Sequence, residues 1–237
     1  MDSRRVSILS YFFIRMILVE RGTLMTLPEY LHHTFPTLML RPPLFYSWDI
    51  GIRFELGVNY DYHNVYENCP YLQGVNSRAI TLFKTLHAPN DDIYIVVDVN
   101  DFGDGGAFKR KLNAFSKYVK NKSLLYKLRQ NTIPYVFPED DENEVYRTHR
   151  FFMKCKTSDF AYVPMIKAIC RQDMGLKPRI FHRVYFINTS KHTIFHIYDD
   201  RGCDLLATSP ETIRGIYASY PHWILDYDRA KIDQVFL

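Results

Sequence analysis

YSWDIGIRFELG, residues 46–57, alternates apolar and polar side chains and fixes the reading of the fold. Trp48, Ile50, Ile52, Phe54 and Leu56 recur every second residue, between Asp49, Gly51, Arg53 and Glu55. Successive side chains on a strand point to opposite faces, so this period predicts a half-buried strand with a charged face turned to solvent. Downstream, Ala79, Leu82, Phe83 and Leu86 lie at helical spacing, with Asn76 or Ser77 as the cap. IYIVVDVND, residues 93–101, is rich in β-branched residues without alternation, as expected of a strand buried on both faces.

The loop GDGG, residues 103–106, leads into a helix with Phe108, Leu112, Phe115 and Val119 as its apolar stripe. A glycine loop between strand and helix can cradle phosphate, but no Gly-Lys-Ser/Thr follows and Asp104 opposes an anion, so it reads as a surface turn. Strands are expected at 133–137 and 146–154, flanking the acidic loop PEDDENE, and a helix at 164–174. HRVYFIN (182–188) and HTIFHIY (192–198) form two strands about the turn Thr189-Ser190-Lys191, and CDLLAT (203–208) returns as a third. Ser209, Pro210 and Glu211 open a helix that buries Ile213, Ile216, Tyr217 and Tyr220. The class is therefore α+β: a mixed, mainly antiparallel sheet with flanking helices, ending in a three-strand meander plus helix.

With 47% hydrophobic and 16% aromatic residues, the 237-residue chain can fill a large core. Its net charge of +4 includes +2 from residues 1–24, so a nucleic-acid-coating protein is not indicated. Cys69, Cys155, Cys170 and Cys203 include no C-x-x-C pair and read as buried thiols of a reducing cytoplasm. The apolar run 6–19 is interrupted by Arg15 and is shorter than a bilayer span of about 20 residues. Residues 1–24 are expected to be a translated leader, because Glu20-Arg21-Gly22 can be encoded by a purine-rich ribosome-binding sequence just before Met25. That leaves 25–237 as a single domain, with 182–237 as its C-terminal unit.

The segment IYDDRGCDLLATSPETIRGIYASYPHWILDYDR, together with FYSWDIGIRFELG, resembles an uncharacterised family of bacterial proteins. That family carries a Tyr-Asp-Asp-Arg-Gly motif, here Tyr198 to Gly202, and is found mainly in spore-forming Gram-positive bacteria. The resemblance extends from Met25 to the end; members begin at the position of Met25, and it implies no activity.

The candidate site residues are Asp49, Arg53, Glu55, Asp98, Asp199, Asp200 and Arg201, with Asp101 beside them. If the strand ends align, their carboxylates can hold a divalent metal or exchange protons. Alternatively, Arg53 and Arg201 pair with neighbouring acids and staple the sheet edge. No cofactor or metal motif is present, and His182 and His196 are core histidines rather than ligands. No acidic residue falls between Asp104 and Glu139, where Lys109 to Arg129 contribute eight cations; Glu139 to Glu144 then contribute five acids. Either segment, basic 109–129 or acidic 139–144, can meet another protein, or the two can face one another. The preferred function is thus a cytoplasmic protein-binding module of inhibitor or immunity type. The alternative is a metal-dependent hydrolase of a phosphoester, and whether the chain is an enzyme stays open.

Overall fold

The computed structural model describes residues 25–61, 64–104 and 113–237. Residues 1–24, the segment 109–111 and the stripe residues Phe108 and Leu112 lie outside the described residues. The chain divides into two compact units, residues 1–36 and 37–237. In the first, helix α1 (Leu27–Thr34) opens with a capping box in which Thr26 and Glu29 satisfy each other's backbone N–H groups.

The second unit is built on one seven-stranded sheet. Its strands are β1 (Gly51–Glu55), β2 (Asp92–Asp101), β3 (Arg129–Pro134), β4 (Arg147–Lys156), β5 (Arg183–Asn188), β6 (Thr193–Ile197) and β7 (Gly202–Ala207). The order is β1-β7-β6-β5-β2-β4-β3, and every neighbouring pair is antiparallel. The α+β class holds, and so does the C-terminal meander β5-β6-β7 followed by helix α5 (Pro210–Ser219). That helix is capped as its sequence dictates, with Ser209 Oγ accepting from Glu211 N.

One face of the sheet is apolar because the inward positions are. Ile52, Phe54, Ile95, Val97, Phe186, Phe195 and Leu205 pack against α2 (Pro70–Leu86), α4 (Tyr162–Cys170) and α5, through Leu82, Phe83, Ile166, Ile169 and Ile213. Burying each such side chain contributes roughly 1.5–3 kcal/mol, and this layer holds the unit together. Short α3 (Asn113–Tyr118) adds Phe115 and Tyr118, and C-terminal α6 (Arg229–Phe236) adds Ile232 and Phe236.

Several local expectations shift. The first strand spans only Gly51–Glu55, while Trp48 and Ile50 precede it. Helix α2 begins at Pro70, with Cys69 at its cap, so Asn76 and Ser77 lie inside it. Proline at the first turn, lacking only a donor the helix cannot use, sets that start. β3 begins at Arg129, before the apolar run expected at 133–137, because its backbone pairs with β4. α4 ends at Cys170, four residues short of the expected end.

The larger correction concerns the charged face of β1. Arg53 is not turned to solvent, its side chain being only 17% exposed, while Asp49, ahead of the strand, is exposed as expected. The segment from Leu40 to Ser47 lies across that face. Leu40 O accepts from Arg150 Nη2 at 2.9 Å, and Phe45 N donates to Asp204 Oδ2 at 3.3 Å.

Gly202 opens β7 with no room for a side chain. A Cβ there would lie 2.8 Å from Phe54 O of β1 and 2.8 Å from Cζ of Tyr198, which follows β6. Gly202→Ala is expected to lower stability by about 1–3 kcal/mol, or roughly 3 °C of melting temperature per kcal/mol. A thermal melt indistinguishable from wild type would show that Tyr198 does not occupy this position.

Candidate functional site

Register assembles a row of polar side chains on the second face. Arg53 lies opposite Asp204, Asp204 opposite His196, and His196 opposite Tyr185. Directly opposed residues share a face, so the four side chains cross four adjacent strands on one side of the sheet. Asp204, His196 and Tyr185 are no more than 1% exposed.

At the β1 end, Arg53 Nε lies 3.3 Å from Asp204 Oδ1, and Nη1 lies 3.3 Å from Asp228 Oδ2. Tyr46 OH donates to Asp228 Oδ1 at 2.8 Å and accepts from Arg53 Nη1 at 3.1 Å. Two carboxylates thus share one guanidinium. Burial, with Asp228 nearby and only partly offset by Arg53, pushes the Asp204 carboxyl up to about 6. Arg53 was expected; Asp204, Asp228 and Tyr46 were not.

Toward the other edge, Asp98 of β2 takes a two-pronged bond from Arg150 of β4, Nε at 2.8 Å and Nη2 at 2.7 Å. Arg183, opposite Asp98 on β5, donates instead to Asn100 Oδ1 at 2.5 Å. His196 Nδ1 lies 2.8 Å from Val184 O, and since a carbonyl only accepts, Nδ1 carries the proton. The bare Nε2 completes no hydrogen bond, nor do Tyr185 OH or Arg183 Nε. The Tyr185 and His196 rings stack at 4.4 Å. Burial holds the His196 imidazole down to about 4.

The Tyr198–Gly202 turn is a third, separate locus. Asp199 accepts from the Arg201 backbone N–H at 2.7 Å and from its guanidinium. Asp200 Oδ2 accepts from Tyr71 OH of α2 at 2.5 Å, and burial raises its carboxyl despite that bond. Arg201 O accepts from Leu56 N at 2.8 Å, stapling the turn to the end of β1. Asp49 is exposed, and the Glu55 carbonyl accepts from Arg78 at 2.9 Å. Asp101 meets His149 Nε2 at 3.2 Å.

Asp98, Asp199 and Asp200 therefore have separate partners, Arg150, Arg201 and Tyr71, while Asp49 is exposed and Glu55 lies opposite Gly202 at the end of the turn. Asp98 and Arg53 stand four strands apart, roughly 19 Å at ordinary strand spacing. Among the described residues, no group of three or more His, Cys, Asp or Glu could hold a metal ion. All four cysteines are free and buried, and burial raises the thiols of Cys155, Cys170 and Cys203, so those three are poor nucleophiles at neutral pH. His182 lies three register positions from the residue that faces His196.

The exposed surface is distinctive at the outer end of β2, β3 and β4. Phe102, Tyr135 and Tyr146 meet edge to face with centroids 5.2–5.8 Å apart, and Phe137 joins Tyr135 at 5.7 Å. Phe102 is 49% exposed and Val145 57%. Asp140, Glu142 and Glu144 are exposed beside them. Asp141 turns inward, accepting from Val145 N and Tyr146 N at 3.0 and 2.8 Å, and Glu139 pairs with Arg41 at 2.8 Å. In the basic segment, Lys120, Lys122 and Arg129 cap backbone carbonyls nearby.

A seven-stranded antiparallel sheet with helices on its apolar face and a buried polar row on the other defines an α+β protein. The chain belongs to the family described as domain of unknown function DUF3885, whose model matches residues 27–228. It is similar to the uncharacterized protein YnaE of Bacillus subtilis (strain 168), with 31% identity over 211 residues, covering 86% of this chain and 99% of that protein. No solved structure matches. Among the described residues, no helix is long and apolar enough to cross a membrane.

Proposed function

We propose that this protein is a protein-binding module, of the inhibitor or immunity kind, whose partner presents a basic surface. The observation that carries this reading is the aromatic cluster of exposed Phe102 with half-buried Tyr135 and Tyr146, beside the exposed acids Asp140, Glu142 and Glu144. An aromatic cluster with an acidic loop beside it suits recognition: aromatics anchor and the acids steer, while Arg147, bonded to the Glu144 and Tyr146 carbonyls, and Arg41 and Arg183, over the Phe137 ring, lie at the same cluster. The acidic loop is favoured over the basic segment because three of the five described cations there, Lys120, Lys122 and Arg129, already serve local carbonyls, and Lys117 and Lys127 lie over the neighbouring rings of Tyr118 and Tyr126. A reducing cytoplasm is the compartment that four free thiols support. The metal-dependent phosphoester hydrolase gains no ligand set from the described residues.

Affinity capture from lysate of the native organism tests it. Immobilised wild type should recover a basic protein stoichiometrically, released by raised salt. Glu142→Lys with Glu144→Lys should reduce recovery at least about tenfold, the loss expected when like charges meet across an interface. Lys84→Glu, on the far side of α2, should leave recovery unchanged. No stoichiometric partner, or equal recovery by the reversed-charge variant, would count against the proposal.

A further inference from the structure

We infer that the polar face of the sheet holds a binding site for a small oxyanion that also carries a hydroxyl, formed by Arg183, Tyr185 and His196. Arg183 and Tyr185 are two residues apart on β5 and so share a face, and His196 lies opposite Tyr185 in register. Each contributes a buried polar atom that completes no hydrogen bond, Arg183 Nε, Tyr185 OH and His196 Nε2, and the Arg183 guanidinium lies close enough to Tyr185 to favour its phenolate. Buried polar groups are rarely left unpaired, and three neighbours on one face point to a common occupant.

The charges set the sign of that occupant. Both Asp98 oxygens are taken by Arg150, so Arg183 has neutral partners, the amide oxygen of Asn100 and the Phe137 ring 5.1 Å away. Two guanidiniums against one carboxylate leave one positive charge unmatched, and a half-buried cation without a counter-charge favours an anion. Arg183 Nε donates, Tyr185 OH can donate, and both suit oxyanion oxygens. His196 differs. With its proton committed to Val184 O, Nε2 can only accept, so the ligand must offer an O–H there. Hydrogenphosphate and a 2-hydroxycarboxylate meet both demands; a simple carboxylate meets one. Arg183 is only partly buried, which gives the site its opening.

Calorimetric titration of the full chain at fixed ionic strength, with inorganic phosphate, glycolate and acetate as probes, tests this. Saturable binding is expected for phosphate or glycolate, whichever source the site serves, and at least about tenfold weaker binding for acetate, the loss expected when a buried acceptor is left unpaired. Arg183→Gln and Tyr185→Phe should each weaken the preferred probe about tenfold or more, since bonds to a charged ligand are the strong ones. Tyr185→Phe removes one oxygen that completes no hydrogen bond and should keep its fold, checked by its thermal melt; Arg214→Gln, on α5, should bind as wild type. Absence of saturable binding by all three probes, or equal affinity in wild type and both site variants (an adventitious ion only), would overturn the assignment.

Discussion

Asp98→Ala is expected to lower stability by about 3–5 kcal/mol, read from the urea midpoint at constant slope. The carboxylate is 1% exposed on the strand between β4 and β5, and both its oxygens bind Arg150. Removing it leaves the Arg150 guanidinium, only 13% exposed, without its counter-charge in the interior. The turn pair Asp199–Arg201 makes the contrast. Arg201 is 77% exposed, so Arg201→Ala is expected to lose less than about 1 kcal/mol. If Asp98→Ala also stayed within 1 kcal/mol, the polar face would be open to water and the architecture proposed for it would fail.

Acidification is expected to destabilise the protein by about 3 kcal/mol between pH 6.5 and 4. Burial lowers His87 and His196 from 6.5 to about 4. Over that window the unfolded chain takes up protons that the folded chain refuses, so stability present above pH 6.5 is lost as pH falls through the folded values. Each histidine contributes about 3 kcal/mol to that loss. Asp204 acts the other way. Its carboxyl, raised from 3.8 to about 6, favours the neutral form, so its contribution is full below 3.8 and lost as pH rises through 6, again about 3 kcal/mol. Two histidines outweigh one carboxyl. Denaturation at pH 7 and pH 4.5 checks the sign, and His196→Asn should flatten the dependence. Greater stability at pH 4.5 than at pH 7 would mean that the histidines are not held neutral.

What the sequence made legible was local. The meander and its helix follow from apolar runs, a three-residue polar turn and the Ser209-Pro210-Glu211 cap, and the structure keeps them within a residue or two. Inward packing of Ile52 and Phe54 follows from period two. The outward face was misread because its partners are remote in sequence. Asp228 is 175 residues from Arg53, and Arg150 is 52 residues from Asp98. One signal was available: Asp204 in CDLLAT and His196 in HTIFHIY are polar groups inside otherwise apolar strands. Such residues need a buried partner, and that need marks the row that joins them. The aromatic cluster had no comparable signal, since Phe102 and Tyr146 come together only through pairing of β2 with β4.

The central claim is that the polar face of the sheet lies in the interior, with His196 neutral and its proton on Nδ1. Nitrogen-15 NMR of the histidine side chains reads this directly. The expected spectrum is that of a His196 imidazole protonated at Nδ1, bare at Nε2, and unchanged in charge from pH 7 down to about 5. Titration of His196 near 6.5, or a proton resident on Nε2, would contradict it.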